Sequence, residues 1–209
     1  MKHVNKIIIA VLVVLAASFA SCKKKEQVVL PPTPGNEFLT TIKWRFQNVS
    51  NPNDTVWCAW RDSTLLSKPY KDTIHPIARL HANTTYSLTV HIYDETQTPA
   101  LDITTEIGVQ RANYHTYWFF PSSGLGSPLG GSKTSGQGSS QGSTNFAITP
   151  YDKDTNNPPL WIGLSDKCVT GSACTATCEG VLRHQPNAKN GTYAPGSSDS
   201  DVSMQVIID

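Results

Sequence analysis

The chain has 209 residues, 17 Lys and Arg against 16 Asp and Glu, and a formal net charge of +1. That balance removes the electrostatic case for nucleic acid, whose binders carry a clear basic excess. Only 38% of residues are hydrophobic, while Gly and Pro number 14 each, a composition of one globular domain plus loops rather than a membrane bundle.

Residues 1–25 read as an export signal of the lipoprotein type. A basic start (Lys2, Lys6) precedes an unbroken apolar run from Ile7 to Ala17. Small residues follow (Ser18, Ala20, Ser21), then Cys22 and the lysines Lys23, Lys24 and Lys25. The apolar run is shorter than the about 20 residues a spanning helix needs, and its order is that of a cleaved signal. Cleavage before Cys22 would leave residues 22–209, with Cys22 as the lipid-bearing N-terminus. Loss of Lys2 and Lys6 takes the balance to 15 basic against 16 acidic residues. Residues 22–37 form a tether stiffened by Pro31, Pro32 and Pro34.

Residues 38–209 alternate with period two, the mark of half-buried strands. Strands are expected at residues 41–47, 55–61, 85–93, 113–120, 145–151, 160–166, 178–184 and 202–208. The segment Asn113 to Phe120 is aromatic enough to be buried on both faces. No amphipathic helix is evident. The expected fold is an all-β, antiparallel, immunoglobulin-like sandwich of about eight or nine strands. The Gly/Ser/Pro-rich stretch 121–143 reads as a long loop between two strands, with an interdomain linker as the alternative.

With Cys22 lipidated, Cys58, Cys168, Cys174 and Cys178 remain. An even set in an exported domain predicts two disulfides with the pairing open. The 168, 174 and 178 spacing fits a thiolate metal site poorly. Two further motifs fail on context. Gly138-Ser139-Ser140-Gln141-Gly142 matches a nucleophile elbow but sits in low-complexity sequence. Asp152 to Asn157 offers alternating oxygens, yet lacks the Gly and the Glu of a calcium loop and reads as an Asp/Asn turn. No nucleophile, paired-acid or zinc-water constellation stands in a workable context, so an enzyme is not expected.

Several segments resemble a poorly characterised lipoprotein family of Bacteroidota-type bacteria. They are Ala82-Asn83-Thr84-Thr85-Tyr86, Asp102 to Ile107 with His115 and Phe119-Phe120, Tyr151 to Asp154 with Pro159, Leu182-Arg183-His184-Gln185-Pro186-Asn187, and the closing Asp199 to Ile208. Members are sometimes labelled with a type 1 periplasmic-binding fold, which the all-β pattern contradicts. The resemblance implies a small β-sandwich lipoprotein of the outer membrane, facing periplasm or cell surface. Some members resemble partners of TonB-dependent outer-membrane receptors, which makes such a receptor the candidate partner here, and no organic cofactor is expected. Two family histidines match His115 and His184, making them the candidate ligands for a transition metal, since imidazole suits such ions. The family's acidic cluster is replaced here by Arg111-Ala112-Asn113-Tyr114. Asp54-Thr55-Val56, Asp62-Ser63-Thr64 and Asp72-Thr73-Ile74 resemble O-glycosylation acceptors of the same bacterial group, so Thr55, Ser63 and Thr73 are candidate glycan sites. The expected role is a membrane-anchored binding module that captures a metal or its complex. The alternative is a structural or adhesive surface protein.

Overall fold

The computed structural model describes residues 38–62, 76–123, 141–143 and 145–209. The signal, Cys22, the tether, Ser63, Thr73, Ser139, Ser140 and most of the Gly/Ser-rich stretch lie outside the described residues.

Alternation drives the architecture. In β1 (Thr41–Asn48), Ile42, Trp44 and Phe46 are fully buried while Lys43, Arg45 and Gln47 are not. In β4 (Thr85–Asp94), Tyr86, Leu88, Val90 and Ile92 point the same way. In β11 (Ser197–Ile208), Val202, Met204, Val206 and Ile208 repeat the pattern. Burying one such side chain contributes about 1.5–3 kcal/mol, so two one-sided sheets must close on each other.

The remaining strands are β2 (Thr55–Arg61), β3 (Ile77–Leu80), β5 (Leu101–Asp102), β6 (His115–Ser123), β7 (Gln141–Ser143), β8 (Phe146–Pro150), β9 (Ser165–Thr170) and β10 (Cys174–His184). The large sheet runs β2-β1-β4-β9-β8-β7 with β5 added to β4, and the small sheet runs β3-β11-β10-β6. The chain is therefore the all-β sandwich the alternation predicts. Eleven strands are present among the described residues, and one pair, β3 with β11, is parallel. The only helical segment among them is a π-helical turn, Glu106–Gln110. The described strands on both sides of the Gly/Ser-rich stretch fall in one compact unit, Pro34–Asp209.

The two sheets touch at a polar pin. Trp44 Nε1 donates to the Tyr117 hydroxyl at 3.0 Å. Gly180 makes room for it, since a Cβ there would lie 2.2 Å from that hydroxyl. As expected, β6 is buried on both faces. Tyr117 and Phe119 join the main core, and Trp118 and Phe120 form a second cluster with Val181 and Tyr193.

Two expectations are corrected. The strand at 160–166 begins only at Ser165. Gly163 takes φ +78°, and a Cβ there would lie 2.1 Å from the Tyr117 carbonyl oxygen, so the extended run breaks. The strand that follows pairs with β4 and β8, while β10 pairs with β11 and β6, so these consecutive strands enter different sheets.

The two expected disulfides are absent among the described residues. Cys58, Cys168, Cys174 and Cys178 are all free thiols. Bridging requires Cα atoms within about 7 Å. Cys174 and Cys178 are four residues apart along β10, about 13 Å. Cys58 and Cys168 sit three strand spacings apart, about 14 Å. The other four pairings cross between the two sheets, where the thiols remain unbridged. Burial pushes the Cys58 thiol up to about 12 and raises Cys168 and Cys178 as well, so these behave as inert core residues. Alkylation of the native protein without reductant should label Cys174 and spare Cys58, Cys168 and Cys178, while unfolding in guanidinium should expose all four. Peptide mapping that found any of them disulfide-linked would contradict this arrangement.

Candidate functional site

His115 opens β6 and His184 closes β10, and the two stand directly opposite each other in the antiparallel register. Opposed side chains on one face lie about 5 Å apart. Their rings stack with centroids 4.7 Å apart at 14°. The third member comes from β11. Leu182 pairs with Ser200 and Arg183 with Ser198, so Asp199 is the extra residue of a bulge. Bulges re-aim a side chain, and this one brings the Asp199 carboxylate to the histidines. Its Oδ2 lies 3.4 Å from His115 Nε2, and its Oδ1 lies 4.0 Å from His184 Nδ1. Donor atoms of all three residues fall within 4.8 Å of one another.

The surrounding residues fix this geometry. His115 Nδ1 is 3.1 Å from the Arg111 carbonyl oxygen. A carbonyl only accepts, so Nδ1 carries a hydrogen and Nε2 is the nitrogen turned to Asp199. It faces Asp199 Oδ2, a buried oxygen that accepts no hydrogen bond. A buried carboxylate oxygen and an imidazole nitrogen facing each other in a dry site favour a cation between them, a proton or a metal ion.

The segment from Leu182 to Asn187 builds the shelf for His184. Leu182 is core. The Arg183 guanidinium donates to the carbonyls of Tyr193, Ala194, Pro195 and Gly196 and to Ser198 Oγ, gathering the loop that leads into Asp199. Gln185 Nε2 donates to the Thr192 and Pro195 carbonyls. Gly196 sits at φ +80°, where a Cβ would lie 2.0 Å from the His184 carbonyl oxygen, so no larger residue fits.

A second polar layer braces the other side. Lys189 Nζ bridges Asp154 Oδ2 at 2.7 Å and the Ala112 carbonyl at 2.8 Å, with both charged side chains buried. The oxygens of the Asp/Asn loop are thus used internally. Asp152 accepts from the backbone amides of Gly163, Leu164 and Ser165, and Asp154 accepts from Asn156 and Leu160.

Of the other predicted sites, Thr55 begins β2 and donates its hydroxyl to the Pro52 carbonyl. The cysteines lie elsewhere, on β2, β9 and β10. Asp199 was not anticipated as a ligand, because the bulge that aims it follows from strand pairing and leaves no mark in alternation.

Comparison with protein-family models, curated proteins and solved structures finds no match. What the site can do rests on its own atoms. Two imidazole nitrogens and one carboxylate suit borderline ions such as zinc, copper or ferrous iron. They do not suit calcium, which takes six to eight oxygens. A tetrahedral ion at about 2.1 Å from each donor holds its ligands about 3.4 Å apart, so His115 and Asp199 already stand at that separation, while the stacked His184 ring has to turn toward them to complete the set.

Proposed function

We propose that this protein is an outer-membrane lipoprotein, anchored through Cys22, whose sandwich is a non-enzymatic binding module. It holds a borderline transition metal on His115, His184 and Asp199, and presents the ion or its complex to a TonB-dependent transporter. The observation that carries this reading is the convergence of three donors from three strands on one point, with Asp199 aimed there by a bulge. Three protein ligands leave one coordination position open, the place where a carried ligand or a donor from the transporter would attach. The signal-like residues 1–22 and the family resemblance support the anchor and the partner.

The test is elemental analysis of the full-length protein purified without chelator, beside His115→Ala/His184→Ala and Asp199→Asn. Near-stoichiometric zinc, copper or iron is expected in the parent. The double variant should hold none. Asp199→Asn should bind more weakly than the parent, because a neutral amide replaces the carboxylate donor. A parent protein that takes up none of these ions when they are added would remove the reading.

A further inference from the structure

The outward face of the large sheet belongs to neither hydrophobic cluster. Alternation sends Lys43 and Arg45 of β1, Trp57 of β2, His91 and Tyr93 of β4, and Lys167 of β9 to this side. Register places them as neighbours. Arg45 stands between Trp57 and Thr89, Lys43 stands beside His91, and Lys167 stands opposite Ser87. The rings and cations are interleaved. Lys43 Nζ lies 5.1 Å from the centre of the Tyr93 ring, Arg45 Cζ lies 5.8 Å from the Trp57 ring, and His91 lies 5.3 Å from Trp57. Trp57 remains 39% exposed, and the Arg45 contact is at the outer limit of a cation–π pair, so much of the indole is open.

Charge on this face is one-sided. Lys43, Arg45 and Lys167 occupy its middle. Among the described strand residues on this side the one acid is Asp102, at the end beside Tyr93. Glu95, near the same end, is paired with Arg61. By strand spacing and rise, Trp57 and Tyr93 are about 16 Å apart on a diagonal, a span of several sugar rings.

We infer that this face binds an acidic polysaccharide, with Trp57 and Tyr93 supplying flat apolar platforms for sugar rings and Lys43, Arg45 and Lys167 meeting carboxylate or sulfate groups. Charged pairing fixes register and partner choice, and Trp, Tyr and Arg are enriched among the residues that dominate binding surfaces. Three cations on a chain of net charge +1 are too few for nucleic acid, where 6–10 phosphate contacts are common. The His115, His184 and Asp199 cluster lies on the other sheet, so this surface is independent of the metal reading.

The experiment is affinity electrophoresis of the full-length protein through gels containing polygalacturonate, neutral dextran or single-stranded DNA. Polygalacturonate should retard the protein, with retardation falling at high salt. Trp57→Ala and Arg45→Gln/Lys167→Gln should each weaken binding about tenfold, equivalent to about 1.4 kcal/mol, while keeping the parent melting temperature. His115→Ala/His184→Ala should be retarded like the parent. Absence of retardation, parent-like binding by both folded face variants, or equal retardation by dextran or DNA would each overturn the inference.

Discussion

Lys189→Met should destabilise the protein by about 3–5 kcal/mol, the cost of removing one partner from a buried ion pair. The Lys189 side chain is 1% exposed and that of Asp154 is 0% exposed. Burial alone would raise the Asp154 carboxyl, but the hydrogen bond from Lys189, the Leu160 amide and the Lys189 charge outweigh it and hold Asp154 below its ordinary range. Burial pulls the Lys189 ammonium down as well, so its desolvation is not fully offset by Asp154. The pair therefore acts chiefly as a clamp. It ties the Ala112 carbonyl, three residues before His115, to Lys189, five residues after His184, and both to the Asp/Asn loop. Because the folded pKa of Asp154 is depressed, its contribution is present above the unfolded carboxylate pKa and is lost as pH falls through the folded one. The lysine variant should shift the urea midpoint downward at pH 7 with an unchanged slope. Under the proposed metal-binding function, it should also weaken uptake of the ion through the displaced histidines. Lys189→Met/Asp154→Leu should recover most of the stability, because no orphaned charge remains. If the single variant unfolded at the parent midpoint, the clamp would be idle.

The parts of this molecule that the sequence makes legible are those governed by alternation. β1, β4 and β11 each place three or four large apolar residues on one side at period two, and nothing in their surroundings competes. β3, β5 and β7 have four, two and three residues, too short for a period to register, and they exist because a neighbouring strand offers an edge. The segment 160–164 is apolar enough to look like a strand, and Ile162 and Leu164 do reach the core. Asp152 captures the amides of Gly163 and Leu164, and those donors are then lost to a ladder. The cysteines show the limit of counting. Four thiols in an exported chain suggest two bridges, but parity carries no information about which sheet each strand joins. The histidines were visible as residue types, whereas Asp199 depends on a register shift between Leu182 and Arg183 that only pairing reveals.

Asp166→Asn should remove a fall in stability that the parent shows as pH rises. Asp166 lies on the inward face of β9 beside Cys168, and its Oδ2 is buried and makes no hydrogen bond. Burial raises its carboxyl well above the ordinary range, and the nearby Asp152 charge adds to this. The folded protein thus keeps a proton that the unfolded chain releases near pH 3.9. Between that value and the folded pKa the unfolded state binds fewer protons. Stability then decreases with pH, by about 1.4 kcal/mol per unit from this one group. Urea midpoints measured from pH 4 to 8 should fall in the parent and run flatter in Asp166→Asn. The two curves should cross, with the variant less stable at the acid end, where its amide hydrogens lack acceptors, and more stable at pH 8. A residual slope in the variant would belong to Asp152. Burial raises that carboxyl too, although the amides of Gly163, Leu164 and Ser165 oppose the shift. Parallel curves would mean that Asp166 is ionised in the folded protein.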